Sequence, residues 1–160
     1  MNAETVSSAW QLLKEAYQYQ MGEDYDMAVE LYQRSIDLHP TAEAYTFLGW
    51  TYHFQGRVDD AIAECKKAIQ IDPDFGNPYN DIGSYLIEKG DFDEALPWLE
   101  RAIQSRRYDS YHFPHHNLGR VYMAQELYEK ARKCFEKALK LCPEYPPAQD
   151  ALEQLKRKLQ

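Results

Sequence analysis

Apolar residues return along this chain at i, i+3, i+4 and i+7, the spacing of one face of an α-helix. Tyr45, Leu48, Gly49 and Tyr52 form such a stripe, and Gly56 breaks it. A second stripe follows at Val58, Ala61, Ile62, Cys65, Ala68 and Ile69. Asp72-Pro73 closes it, because the residue before a proline is pushed out of the α region. The pattern predicts a helical hairpin over 42–75, a helix A followed by a helix B. Shifting this stretch by 34 residues lays Tyr45, Gly49, Gly56, Ala61 and Ala68 on Tyr79, Gly83, Gly90, Ala95 and Ala102. Self-similarity at a fixed period marks a supersecondary unit that stacks on copies of itself. The recurring small residues are where paired helices approach closely.

The other copies carry the same stripes with departures. In 8–41, Trp10, Leu13 and Tyr17 precede Tyr25, Ala28, Val29, Tyr32 and Ile36, with Pro40 as the stop. Ser8 with Gln11 predicts a capping-box start. The step from Tyr17 to Ala28 is two residues longer than that from Tyr52 to Ala61, which predicts a looser turn, and Ser35 stands where other copies have alanine. In 76–111, Pro97 lies early in helix B, so a helix is expected in spite of it. This copy has no closing proline, and Gly83 to Gly119 is a step of 36, which puts two extra residues into the junction SRRYDSYHFPHH. The copy at 112–145 resumes with Leu118, Gly119, Tyr122, Ala131, Phe135 and Ala138. After Pro146-Pro147 a last helix, 147–160, offers Leu152, Leu155 and Leu159 on one side, which predicts a cap with a polar outer face. The expected architecture is all-α, a single self-contained domain over 1–160 with nine helices.

The arrangement Tyr45-x2-Leu-Gly-x2-Tyr52, Ala61, Ala68, Pro73 resembles the tetratricopeptide repeat. The resemblance covers nearly the whole chain in four copies. It implies a right-handed superhelix of antiparallel helix pairs, an αα-solenoid, whose A helices line a concave groove that binds peptides or proteins. One branch of the family, chaperone cofactors, grips the terminal carboxylates of heat-shock chaperones with lysine, asparagine and arginine. At the matching positions this chain offers Gln11, Glu15, Phe47, Asn77 and Asp81, or one repeat along Thr46, Trp50, Asp81, Phe113 and Asn117. Neither set has a cation, so that activity is not expected.

Charge narrows the partners. The net −8 divides into −5 over 1–41, −3 in each of the next two copies and +3 from His112 onward. That opposes general nucleic-acid binding, which needs a positive field along the contact face. No apolar run is long enough to span a bilayer and the start does not read as a secretory signal, which points to the cytoplasm. Cys65, Cys134 and Cys142 sit singly, without a CxxC pair. No phosphate loop or nucleophile elbow occurs, so no enzymatic activity and no cofactor are expected.

Comparison of the copies separates scaffold from candidate site. Positions that repeat hold the stack, whereas exposed positions that differ between copies are free to carry specificity. On helix A the latter are Phe47, Trp50, His53 and Phe54, then Asn80 and Ser84, then His116, Asn117 and Arg120. Copy one adds Gln11, Glu15 and Gln18. Aromatic anchors in a concave site usually carry the binding energy, so Trp50 leads. Phe47 and Phe54 also fit as fillers against a neighbouring helix. A second candidate surface is Arg106, Arg107, Tyr108 and Tyr111 in the long junction, with rings folded back on the helices as the alternative. His112, His115 and His116 have i, i+3, i+4 spacing, but Pro114 interrupts them and no metal is expected. The reading is a monomeric binding module for a peptide or protein segment, the alternative a self-associating scaffold.

Overall fold

The computed structural model describes residues 2–160. Nine helices form among them: α1 Ala3–Met21, α2 Tyr25–Leu38, α3 Ala42–Phe54, α4 Val58–Ile71, α5 Asn77–Lys89, α6 Phe92–Gln104, α7 His112–Ala124, α8 Tyr128–Leu141 and α9 Pro146–Leu159. Each helix packs on the next, and the odd helices α1, α3, α5 and α7 also touch in succession. The even helices make no comparable contact among the described residues. The odd helices therefore line the inner face of a solenoid and the even ones its outer face.

The crossing inside each pair is set by a residue without a bulky side chain. Gly49 lies against Ala61 and Cys65, Gly83 against Leu99, and Gly119 against Phe135. A Cβ on Gly49 would come within 2.9 Å of the Ala61 carbonyl oxygen, which belongs to the backbone and cannot swing away. Ala61, Ala68, Ala95, Ala102, Ala131 and Ala138 are fully buried on the facing helices. A continuous core follows, running from Leu13 and Tyr32 through Leu48, Ile82 and Leu99 to Val121, with a smaller cluster of Phe135 and Leu155 under α9.

The first pair corrects two expectations. Helix α1 begins at Ala3, with the Asn2 side chain accepting from the Thr5 backbone N–H at 2.7 Å, and not at a Ser8 capping box. No proline or glycine interrupts 3–21, so an earlier cap simply extends the helix. Nor is its turn looser: residues 22–24 link α1 to α2, just as 55–57 link α3 to α4. The positive φ of Glu23, Gly56, Gly90 and Glu126 marks the same place in each hairpin. Counting back from it sets Ala16 opposite Gly49 and Tyr19 opposite Tyr52, so the match to Tyr17 is off by two. The register was hidden because Ala16 stands where Gly49, Gly83 and Gly119 mark the crossing, and Glu23 where Gly56 and Gly90 mark the turn.

Two further points follow from local sequence. Helix α6 forms as expected and continues through Pro97. In α9, Leu155 is buried and Leu152 partly so, while Leu159 is 49% exposed and adds nothing to the cap.

Gly49→Ala is expected to cost ~2 kcal/mol through overpacking at the α3–α4 crossing. In calorimetry that lowers Tm by roughly 4–8 °C for a chain of this size. An unchanged Tm would show that the crossing has room for a methyl group.

Candidate peptide-binding groove

Two rows of side chains run along the inner face, fixed by the crossing residues Ala16, Gly49, Gly83 and Gly119. One residue after each stand Tyr17, Trp50, Ser84 and Arg120, and two before each stand Lys14, Phe47, Asp81 and Asn117. Equivalent positions on stacked helices face the same way. The rows line two cavities.

The cavity at the α1–α3 end, about 300 Å³, is walled by Leu13, Lys14, Tyr17, Gln18 and Phe47. Phe47 meets Tyr17 edge-on at 5.6 Å and stacks on Tyr32 at 6.0 Å, so it is both a core filler and a wall. In repeat one, therefore, Lys14, Tyr17 and Gln18 reach the groove wall and Gln11 and Glu15 do not. The corrected register replaces the first set matched against the carboxylate-gripping pattern by Leu13, Tyr17, Phe47, Asn77 and Asp81. It still has no cation and is now largely apolar.

The second cavity, about 390 Å³, brings together Trp50, Asn80, Asp81, Ser84, Phe113, His116, Asn117 and Arg120, closed by Tyr145 and Pro147 from the start of α9. Six residues chosen from sequence, Trp50, Asn80, Ser84, His116, Asn117 and Arg120, thus share one site. Asn117 Nδ2 donates to Asn80 Oδ1 at 2.9 Å, and Arg120 Nη1 donates to Asn117 Oδ1 at 3.0 Å. This relay ties α5 to α7 and holds the Arg120 guanidinium on the α7 side. Arg120 makes no ion pair with any described residue. Burial, with the nearby Arg120 charge adding to it, lowers the His116 imidazole to about 4, so His116 is neutral at pH 7. Its ring sits edge-to-face with Tyr145 at 5.3 Å and against Phe135 at 5.6 Å.

His53 and Phe54 lie beyond this cavity. The Nε2 of His53 pairs with Glu88 at 2.8 Å and its ring stacks on buried Tyr85 at 4.8 Å. His53 is a tie between α3 and α5, and its partner 35 residues on carried no local signal. Phe54 is 46% exposed, stacks on Tyr25 at 5.4 Å and touches Trp50 at 5.1 Å, extending the aromatic surface toward the hairpin turns.

In the junction the rings fold back. Phe75 and Arg107 form a β-bridge, with Gly76 N–H donating to the Arg107 carbonyl at 3.1 Å and Arg107 N–H to that of Asp74 at 2.9 Å. The Arg107 guanidinium bonds Glu43 and Asp72 and lies 4.1 Å from the Phe75 ring centre. Tyr108 lies against Gly76, and the Tyr111 hydroxyl donates to the Ser105 carbonyl at 2.7 Å. Arg107 and Tyr108 thus clasp the α4–α5 loop, and Tyr111 packs on Tyr108 within the junction, ring centres 5.2 Å apart. Arg106 makes no ion pair with any described residue and borders an open hollow of about 520 Å³ with Phe75, Asn77 and Asp109.

Sequence reasoning passed over two features of the groove. Tyr145 and Pro147 were placed at the end of the last copy and the start of the cap and given no groove role, although a tyrosine set between Pro143 and Pro146 is a rigidly presented ring. Asp81 was named among the groove positions, but its own charge was not weighed as a site. It is half-buried on the groove wall, and burial alone raises its carboxyl to about 7, with no donor or cation offsetting the cost.

These features define an α-solenoid of helical hairpins with a concave face of varied side chains. Family models described as tetratricopeptide repeat match residues 12–42, 42–75 and 74–142, and the chain belongs to that family. It is 32% identical over 103 residues to small glutamine-rich tetratricopeptide repeat-containing protein 2 of Mycosarcoma maydis, across 63% of this chain and 29% of that protein. It thus spans less than a third of that relative's length. Among solved structures it resembles PilF of Pseudomonas aeruginosa, with a TM-score of 0.90 at 22% identity over 97% of this chain and 70% of that one. It also resembles the first tetratricopeptide domain of Spaghetti (RPAP3), bound to the HSP90 peptide SRMEEVD, with a TM-score of 0.68 at 24% identity over 74% of this chain and 93% of that one. No described helix is long and apolar enough to cross a membrane.

Asp81 yields a test of the site's electrostatics. Its carboxyl rises from 3.8 to about 7 on folding, so the folded chain keeps a proton that the unfolded chain has lost. Stability therefore falls as pH rises across that window, and the full cost is present above it. Asp81→Asn is expected to raise Tm by several degrees at pH 8 and to leave it unchanged at pH 4. Equal effects at both pH values would show that Asp81 is fully solvated.

Proposed function

We propose that this protein is a non-enzymatic interaction module that holds an extended peptide segment of a partner protein in the groove of α1, α3, α5 and α7. The observation that carries this reading is the second cavity, where an aromatic ring, an amide relay and a cation without an ion-pair partner converge. Trp50 offers an apolar face where core packing does not require so large a side chain. Ser84 offers a hydroxyl that can bond a peptide backbone. Arg120 keeps donors free for a carboxylate after its one bond to Asn117.

The peptide-bound relative supports a groove ligand but not the same ligand. With Leu13, Tyr17 and Phe47 on the α1–α3 side, that end suits apolar side chains. The reading is therefore an apolar residue over Trp50 and an acidic group at Arg120. Direction along the groove follows from the order of the repeats.

A random dodecapeptide library displayed on phage, panned against the immobilised protein, is expected to yield groove binders. Trp50→Ala is expected to weaken them about 30-fold, the cost of one aromatic anchor. The Trp50→Ala/Arg120→Ala double variant is expected to abolish measurable binding. Unchanged affinity in the double variant sinks the reading.

A further inference from the structure

Resting on the groove reading, a further step follows from charges that share one wall yet do not meet. Asp81 and Arg120 both line the second cavity. Opposite charges facing one partly desolvated space attract each other more strongly than in bulk water and commonly pair. Here they do not. Asn117 uses its oxygen on Arg120 and its amide nitrogen on Asn80, and this relay anchors the guanidinium to α7. Asp81, next to Asn80 in sequence, receives neither a hydrogen bond nor a cation from any described residue. The other charges of the inner face are engaged or remote: Glu88 is bound by His53, His116 is neutral at pH 7, and Lys14 lines the other cavity.

A carboxylate left alone on a groove wall is costly unless something fills the position. The neighbours specify what fits. Trp50 and Phe113 line the same space, and aromatic rings beside a carboxylate suit the alkyl stem and charged head of lysine or arginine. A second carboxylate is repelled there, and an apolar side chain leaves the desolvation cost in place.

We propose that Asp81 is the subsite for a lysine or arginine of the bound segment, so that the groove selects peptides carrying an apolar, a basic and an acidic group together. The apolar residue sits at Trp50 and the acidic one at Arg120. Asp81 thereby gives the site a requirement that Trp50 and Arg120 alone do not impose. The ligand so defined differs from an acidic tail, which would set a carboxylate against Asp81.

Peptides selected from the dodecapeptide library on the wild-type protein test this. They are expected to be enriched in lysine or arginine as well as in an acidic residue. Replacing the selected lysine by norleucine keeps the stem and removes the charge, and is expected to weaken binding about tenfold on the wild type and less than twofold on Asp81→Asn. Glutamate-to-glutamine replacement in the same peptide is expected to lose affinity on both proteins. Binders without a basic residue, a norleucine loss below twofold on the wild type, or an equal loss on Asp81→Asn each overturn the Asp81 subsite. If those binders still depend on Trp50 and Arg120, the groove reading survives its loss. Failure of any peptide to bind overturns both. Should Asp81→Asn fail to fold, the norleucine comparison on the wild type decides alone.

Discussion

Everything in this molecule depends on how closely the two helices of a hairpin can approach. At Gly49, Gly83 and Gly119 one helix rests on the other with no Cβ between them, and at Ala16 a single methyl is tolerated. The close crossing lets small residues, Ala61, Ala95 and Ala131 among them, vanish completely into the interface. It also fixes the rotation of each odd helix about its own axis. Once that rotation is fixed, the residues one after and two before the crossing must face the inner surface. The groove is thus a by-product of packing, and its chemistry is free to vary because none of those side chains is needed to hold the pair together.

That freedom has been used unevenly. Toward α1 the two rows read Tyr17, Trp50, Lys14 and Phe47, a mostly apolar wall. Toward α7 they read Ser84, Arg120, Asp81 and Asn117, a polar one. The polar half is kept in order by the Asn80–Asn117–Arg120 relay, in which both groups of one amide are spent. Such a relay rigidifies its members and keeps Arg120 from collapsing onto Asp81. The His53–Glu88 pair does the corresponding work between α3 and α5. The Arg107 clasp does it outside the groove, tying the long junction to Glu43 and Asp72.

Much of this was legible in the sequence, and the misses have physical causes. The solenoid followed from a period of 34 residues and the stripes of Tyr45 to Ile69. Trp50, Asn80, Ser84, His116, Asn117 and Arg120 were found as positions that differ between otherwise equal copies. The register of the first copy was lost because Ala16 replaces the glycine that marks the crossing in the other copies, and Glu23 the glycine that marks the turn at Gly56 and Gly90. His53 was offered as a groove contact, yet its pairing spans 35 residues and no periodicity reports such a partner. The junction tyrosines were equally compatible with a binding surface or with rings folded back on the helices, and in the structure Tyr108 lies against Gly76 and Tyr111 against Tyr108. Asp81 was visible as a residue but not as an isolated charge, since isolation is a property of what surrounds it.

The account's central claim is that the inner face between α3 and α7 is where a partner segment lies. Backbone and indole N–H chemical shifts, followed by NMR as a selected peptide is titrated in, test it most directly. The account predicts that the largest changes fall on the Trp50 indole and on Ser84, Asn117, Arg120 and Tyr145, with α4, α6 and α8 silent. Changes centred on those outer helices, or on the 105–111 junction with Trp50 unmoved, would contradict it.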